Sequence, residues 1–160
     1  MGLALIERGQ FLTSEGVRSH FSVAEMMCPC CQVWNVEQGL IDAAERFRFL
    51  VQEPVYVNSG YRCPKHNLEV SGARASRHMM GLAMDFRLRN KSIWTAFNFA
   101  IQAFPRVIIY PRRFIHADID ETFGEHWHRV KRGDGYDSIE VALGGHPELS
   151  PDQIFGDFAA

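Results

Sequence analysis

Within Ser76–Phe86 stand a histidine, a glycine and an aspartate, His78, Gly81 and Asp85, whose types and order suit a metal site. If the chain were fully extended, His78 and Asp85 would lie about 23 Å apart, on opposite faces of a strand. They meet only if the chain turns between them. Gly81 is the residue that permits the turn, with Leu82 to Leu88 continuing as a buried strand. An imidazole and a carboxylate make a donor set suited to zinc, whose catalytic sites take three protein ligands and leave one position for water. A third ligand is therefore expected downstream.

Two stretches offer it. In Phe114–Ile119, period-two alternation puts His116 and Asp118 on one face, with Ile115, Ala117 and Ile119 on the other. In Gly124-Glu125-His126-Trp127-His128, His128 is a competing ligand and Glu125 a competing base. The strand context is cleaner for His116. Arg62, just past a strand end, reads either as an ordinary surface ion pair or as a guanidinium fork for a substrate carboxylate or a developing oxyanion. Cys28-x-x-Cys31 and Cys63-x-x-His66 have the types and spacing of a second, structural zinc site. The alternative is that one clustered cysteine lies near Cys63 as a thiol pair or a disulfide, the rest being small buried hydrophobes.

The elements that must position these residues are legible in patches. Residues 1 to 20, with scattered glycines, read as an N-terminal arm or irregular packing segment. Ser22-Val23-Ala24-Glu25 is a capping-box pattern that starts a short helix. Leu40, Ala44, Phe47 and Val51 recur at helical spacing and predict a core-facing helix ended before Pro54. Val55-Tyr56-Val57 reads as a strand closed by Asn58-Ser59-Gly60, and Cys63 to Ala75 as a loop that delivers Ser76 and His78. Ile93 to Phe104 predicts a second amphipathic helix, and Val107–Tyr110 with Phe114–Ile119 a hairpin turned at Pro111-Arg112-Arg113. Residues 133–160 read as a C-terminal extension. It carries a strand at Ile139 to Leu143 and a helical turn at Ser150-Pro151-Asp152, with Phe155 and Phe158 free to dock on the domain or a partner.

A chain of 160 residues with net charge −2 suits one domain of 21–132 plus these two terminal segments, and shows no electrostatic footprint for nucleic acid. No run is long and apolar enough for a membrane span or a secretory signal, so action outside the cytoplasm would need release or delivery by other means.

Four motifs occur in order: Ser59-Gly60-Tyr61-Arg62, His66-Asn67, Ser76-x-His78 with Gly81, Ala83 and Asp85, and Tyr110-Pro111 with Phe114-x-His116-x-Asp118. Together they resemble the zinc D-Ala-D-Ala carboxypeptidase and L-alanyl-D-glutamate endopeptidase family, particularly its small, often phage-encoded branch. The resemblance runs from about Phe21 to Trp127. It implies an α+β fold with a central, mainly antiparallel sheet flanked by helices, as in hedgehog domains and the vancomycin-resistance dipeptidases. It also implies one catalytic zinc on His78, Asp85 and His116, with Arg62 and Ser76 toward the substrate, a peptidoglycan stem peptide. Larger members carry an acid three residues before the third ligand, where this chain has Arg113. Either Asp118 is then the base, the assignment adopted here, or Glu125 and His128 take the base and ligand roles. Rival functions are a non-catalytic wall-binding or virion module, with a virion or tail partner on the terminal segments, and a cytoplasmic D-Ala-D-Ala dipeptidase.

Overall fold

Strands β1 (Ile6–Glu7), β2 (Gln10–Leu12) and β3 (Arg18–Ser22) pair antiparallel in that order. Residues 2 to 20 are thus no loose arm in this computed structural model, which describes residues 2–124 and 126–159. Ala4, Phe11 and Phe21 enter the main core, and Phe11 packs edge-on against Trp34. The scattered glycines that suggested irregularity sit at turns, with Gly9 and Gly16 both at positive φ.

Ser22 closes β3 and caps α1 (Val23–Met26) through the expected reciprocal box with Glu25. Helix α2 (Gln38–Val51) buries Leu40, Ile41, Ala44, Phe47 and Val51 and ends at Gln52 in the left-handed region, ahead of Pro54. The main sheet holds β4 (Tyr56–Ser59), β5 (Ala83–Arg87), β6 (Arg106–Tyr110), β7 (Phe114–Asp118), β8 (Trp127–Arg132) and β9 (Gly135–Ser138). Their spatial order is β4-β5-β7-β6-β8-β9, and only the β6–β8 pair is parallel. This is the α+β class with a mainly antiparallel central sheet that the sequence implied.

One face of that sheet is apolar. Met84, Phe86, Val107, Ile109, Ile115, Ala117 and Val130 pack with α2 and with α4 (Ile93–Ala100), and Phe47 meets Phe86 at a ring separation of 4.6 Å. The opposite face carries Asp85, Ile108 and His116, brought into line by the registers Asp85↔His116 and Ile108↔His116.

Two connections differ from expectation. The turn-rich stretch after Cys63 contains α3 (Pro64–Glu69), started by Cys63 as N-cap and Pro64 in the first turn. Ile139 to Leu143, expected as a strand, lies in α5 (Ile139–Gly144), because Ser138 caps it by accepting from the Val141 N–H. The last helix, α6 (Pro151–Phe155), has the expected Ser150 start and a capping box with Gln153. Phe155 is fully buried and stacks on Trp94 at 5.5 Å, and β9 belongs to the main sheet. The expected boundary at residue 133 therefore falls inside the β8–β9 hairpin.

Candidate metal centre

His78 is delivered by a single 3-10 turn, Arg77–Met80, and the turn ends at Gly81 with φ +72. A Cβ there would stand 1.8 Å from the Asn35 carbonyl oxygen, so both the φ and the space require glycine. The chain then enters β5, which brings Asp85 back beneath His78. His116 arrives from β7, directly across the ladder from Asp85.

The three donor atoms converge. His78 Nε2 lies 3.1 Å from Asp85 Oδ1 and 3.2 Å from His116 Nδ1, and His116 Nδ1 lies 2.8 Å from Asp85 Oδ1. Tetrahedral zinc with ligands at about 2.05 Å would space them about 3.3 Å apart. The group is buried, with His78 1% and Asp85 6% exposed.

The outer partners fix which atoms carry hydrogen. His78 Nδ1 donates to the Gly60 carbonyl at 2.7 Å, and that oxygen can only accept. His116 Nε2 donates to Asp118 Oδ2 at 2.8 Å. His78 thereby turns its Nε2 lone pair toward Asp85 and His116, while His116 turns Nδ1 toward Asp85. Three such atoms within about 3 Å need a cation or a proton between them. With protein groups alone, the electrostatics put that proton on His116. Burial pushes His78 below the usual imidazole range despite Asp85, whereas for His116 burial is outweighed by Asp118 and Asp85, which hold it up at about 9. Burial of Asp85 is likewise outweighed by the two histidines, and its carboxyl sits well below the ordinary range. The donor set fits zinc, which would take the place of the proton that His116 Nδ1 shares with Asp85.

Arg62 completes the bracing. Its Nη2 is 3.3 Å from the second oxygen of Asp85, and its Nη1 reaches Asn67 Oδ1 at 3.4 Å. Its Nε is buried without a partner, and the side chain lines an open groove of about 1300 Å³ above the centre. Ser76 lines the same groove, and its hydroxyl makes no cap bond. So do Arg77, Arg87, Arg106, Arg113 and Lys131, against three carboxylates, Glu25, Asp85 and Asp134.

Several expected residues stand elsewhere. Asp118 shares its face with His116 but lies behind it, 0% exposed, with its carboxylate also 3.6 Å from Arg106 and accepting from the Asp120 N–H. That position sets Asp118 against the His116 imidazole, outside the lining of the groove. His128 is not a ligand here: its register with Val107 turns it to the core face, where it packs edge-on against Phe97 and both ring nitrogens are buried without partners. Burial, then His126 and Arg129, lower its pKa to about 4. Glu125 lies outside the described residues. The cysteines do cluster, but with Cys30 in place of His66, whose Nδ1 is 3.6 Å from Glu69 instead. Burial raises the Cys28 thiol, yet N–H donors of Cys63 and Cys30 more than compensate and bring it to about 6. Residues that the sequence did not single out are Gly60, through its carbonyl, and Arg106, sandwiched between Phe123 and Trp127 at 4.8 and 4.7 Å.

Two histidines and an aspartate at the floor of an open groove, each braced from behind, define a metal centre with room for a substrate. The sequence profile of the peptidase M15 family matches residues 19–118, from β3 to the end of β7, and the chain belongs to that family. Membership implies a zinc-dependent peptidase acting on peptides. No curated protein sequence matches the chain.

Proposed function

We propose that this protein is a zinc-dependent peptidoglycan peptidase that hydrolyses an amide of the stem peptide, as a D,D-carboxypeptidase or an endopeptidase. The observation that carries the reading is the convergence of three metal-ligating side chains, His78, Asp85 and His116, at the floor of a groove rich in cationic side chains. Stem peptides carry free carboxylates; among the described residues that line the groove, Arg62, Arg77 and Arg106 are paired with Asp85, Asp120 and Asp118, which leaves Arg87, Arg113 and Lys131 to favour such a ligand. His78, Asp85 and His116 would hold the zinc, which when bound supplies a Lewis acid for the amide carbonyl and lowers the pKa of water toward about 7.

The chain's own groups have distinct tasks. Gly60 and Asp118 hold the two imidazoles, and Arg62 holds Asp85 while its guanidinium, at the wall of the groove, meets a substrate carboxylate or carbonyl oxygen. The proton acceptor is one of the two carboxylates that the sequence offers, Asp118, which accepts from His116 Nε2 at 2.8 Å, or alternatively Glu125. Delivery as a phage lysin or a tail-associated enzyme is part of the same proposal.

A wall-binding module that keeps the metal is the second reading, favoured by Arg113 at the position of the family acid. One experiment separates them. Zinc-loaded protein is incubated with purified sacculi, and soluble products are read by mass spectrometry beside a His78→Ala control. A defined new stem-peptide fragment that disappears in the variant is expected. Zinc that depends on His78 without any fragment would overturn the peptidase reading in favour of the module.

A further inference from the structure

We propose that Cys28, Cys30, Cys31 and Cys63 form a second, structural tetrathiolate zinc site that fastens the Gly60–Cys63 segment, at the start of α3, to the turn at Cys28–Cys31. The metal assignment stands apart from the peptidase reading, and its consequence for the groove rests on that reading.

All four sulfurs lie within 4.8 Å of one another, with Cys30 to Cys63 at 3.3 Å and Cys28 to Cys30 at 3.6 Å. Zinc–sulfur bonds of about 2.3 Å in a tetrahedron put sulfurs about 3.8 Å apart, whereas a disulfide closes to about 2.0 Å. The two closest spacings lie just below the tetrahedral value and well above that of a disulfide. A disulfide, moreover, would draw two sulfurs together and give no reason for the other two to join them.

The backbone around the cluster is arranged for thiolates. Cys28, Cys30 and Cys31 come from one tight turn, closed by Cys28 N–H to Val33 O and Gln32 N–H to Cys28 O, both 2.8 Å, with Gln32 in the left-handed region at φ +59. The turn folds three side chains toward one point. Main-chain donors then reach the sulfurs from outside, Cys63 N–H to Cys28 Sγ and His66 N–H to Cys63 Sγ, each at 3.4 Å. Such N–H···S bonds delocalise thiolate charge and hold a ligand in place. The ring of His66 is turned away from the cluster, with Nδ1 3.6 Å from Glu69.

The position of the cluster gives it a role. Cys63 follows Arg62 directly, and Tyr61 N–H bonds to Met26 O at 2.7 Å, next to the cysteine turn. Gly60 accepts from His78 and Arg62 pairs with Asp85, so both braces of the first metal centre hang from the strap that Cys63 anchors. A Cβ at Gly60 would meet the Met26 carbonyl at 2.4 Å, which shows how closely the strap is drawn against the cysteine-bearing segment.

The test uses the full chain loaded with zinc alone or with cobalt(II) alone. Expected are two zinc per wild-type chain, one per chain in His78→Ala and one in Cys30→Ser, whose serine replaces an exposed thiol. Cobalt-loaded wild type and His78→Ala should both show a thiolate-to-metal charge-transfer band, lost or weakened in Cys30→Ser. Zinc affinity of the remaining site in Cys30→Ser should fall about tenfold, the usual scale for loosening an outer brace. Should Cys30→Ser fail to fold, cobalt-loaded wild type and alkylation mass spectrometry still decide the question. One zinc per chain that vanishes with His78, no charge-transfer band, or a disulfide among these cysteines in the zinc-loaded protein would overturn the site. Unchanged affinity at the first centre in folded Cys30→Ser would overturn its role as anchor. A thiolate band without any metal on His78 would leave this inference standing and sink the peptidase reading.

Discussion

Replacing Asp118 by asparagine separates its two conceivable roles. The carboxylate accepts from His116 Nε2 at 2.8 Å and faces Arg106 at 3.6 Å, with no solvent exposure. Asparagine keeps an oxygen that can accept the same hydrogen bond and loses the charge. Charge-assisted bonds are about twice as strong as neutral ones, so roughly 1–2 kcal/mol of support for the imidazole is lost. At about 1.4 kcal/mol per decade this weakens zinc binding on the order of tenfold, within the range of about 10 to 100 for groups that orient metal ligands. Zinc affinity would be measured by competition with a chromogenic chelator, and turnover on a defined stem peptide would be followed with zinc in excess. Asp118→Asn is expected to bind zinc more weakly and to recover near wild-type turnover once the metal is saturating. A general base behaves otherwise, its loss costing about 10² to 10⁴ in rate whatever the metal concentration. Unchanged zinc affinity with turnover reduced by that amount would refute the positioning role and return Asp118 to the chemistry.

Two further outcomes test the frame around the centre. Phe155→Ala removes a fully buried ring stacked on Trp94, and should cost about 3–5 kcal/mol in urea unfolding while leaving one cooperative transition; a loss below about 0.5 kcal/mol would mean that residues 133–160 are a separable appendage. Asp120 is held below the ordinary carboxylate range because the Thr122 N–H and the Arg77 guanidinium outweigh its burial, so its contribution is present above its unfolded pKa of about 3.9 and is lost as pH falls through the lower folded value. Asp120→Asn should therefore be about 1–3 kcal/mol less stable at pH 7, with the gap closing below about pH 4, and a gap that stays constant to pH 2 would refute the assignment.

Where local rules and tertiary packing agree, the sequence was readable. The Ser22–Glu25 box, the Leu40–Val51 stripe and the β6–β7 hairpin each carry their own signal and lie where it put them. The failures come from short elements. In α5 the β-favouring Ile139, Val141 and Leu143 outweigh, on composition, the one residue that decides the matter, the Ser138 cap. Strands β1 and β2 span only two and three residues, too few for alternation to register, and they are held by pairing with β3 and by Phe11 in the core. β8 shows a strand only once its parallel register with β6 is known, because its partner lies a full hairpin away in sequence.

The metal centre was more legible than the fold, for a reason peculiar to such sites. Donor type is written in the residue, and one glycine sufficed to predict the turn that lets His78 meet Asp85. What lay behind the donors was hidden. Asp118 and His116 have the same relation in sequence whether the carboxylate faces the water or braces the ring, and only the third dimension puts His116 in between. His128 misled through its type alone, since its side is set by a register with Val107 that no local pattern reveals. Among the cysteines, spacing favoured His66 because Cys-x-x-His is a familiar ligand pair, yet Cys63 caps α3 and thereby engages the His66 backbone instead of its ring. The cap sets where the side chains go: Cys63 takes the His66 N–H on its sulfur, and the His66 ring, on the first turn of α3, faces Glu69 instead of the cysteines.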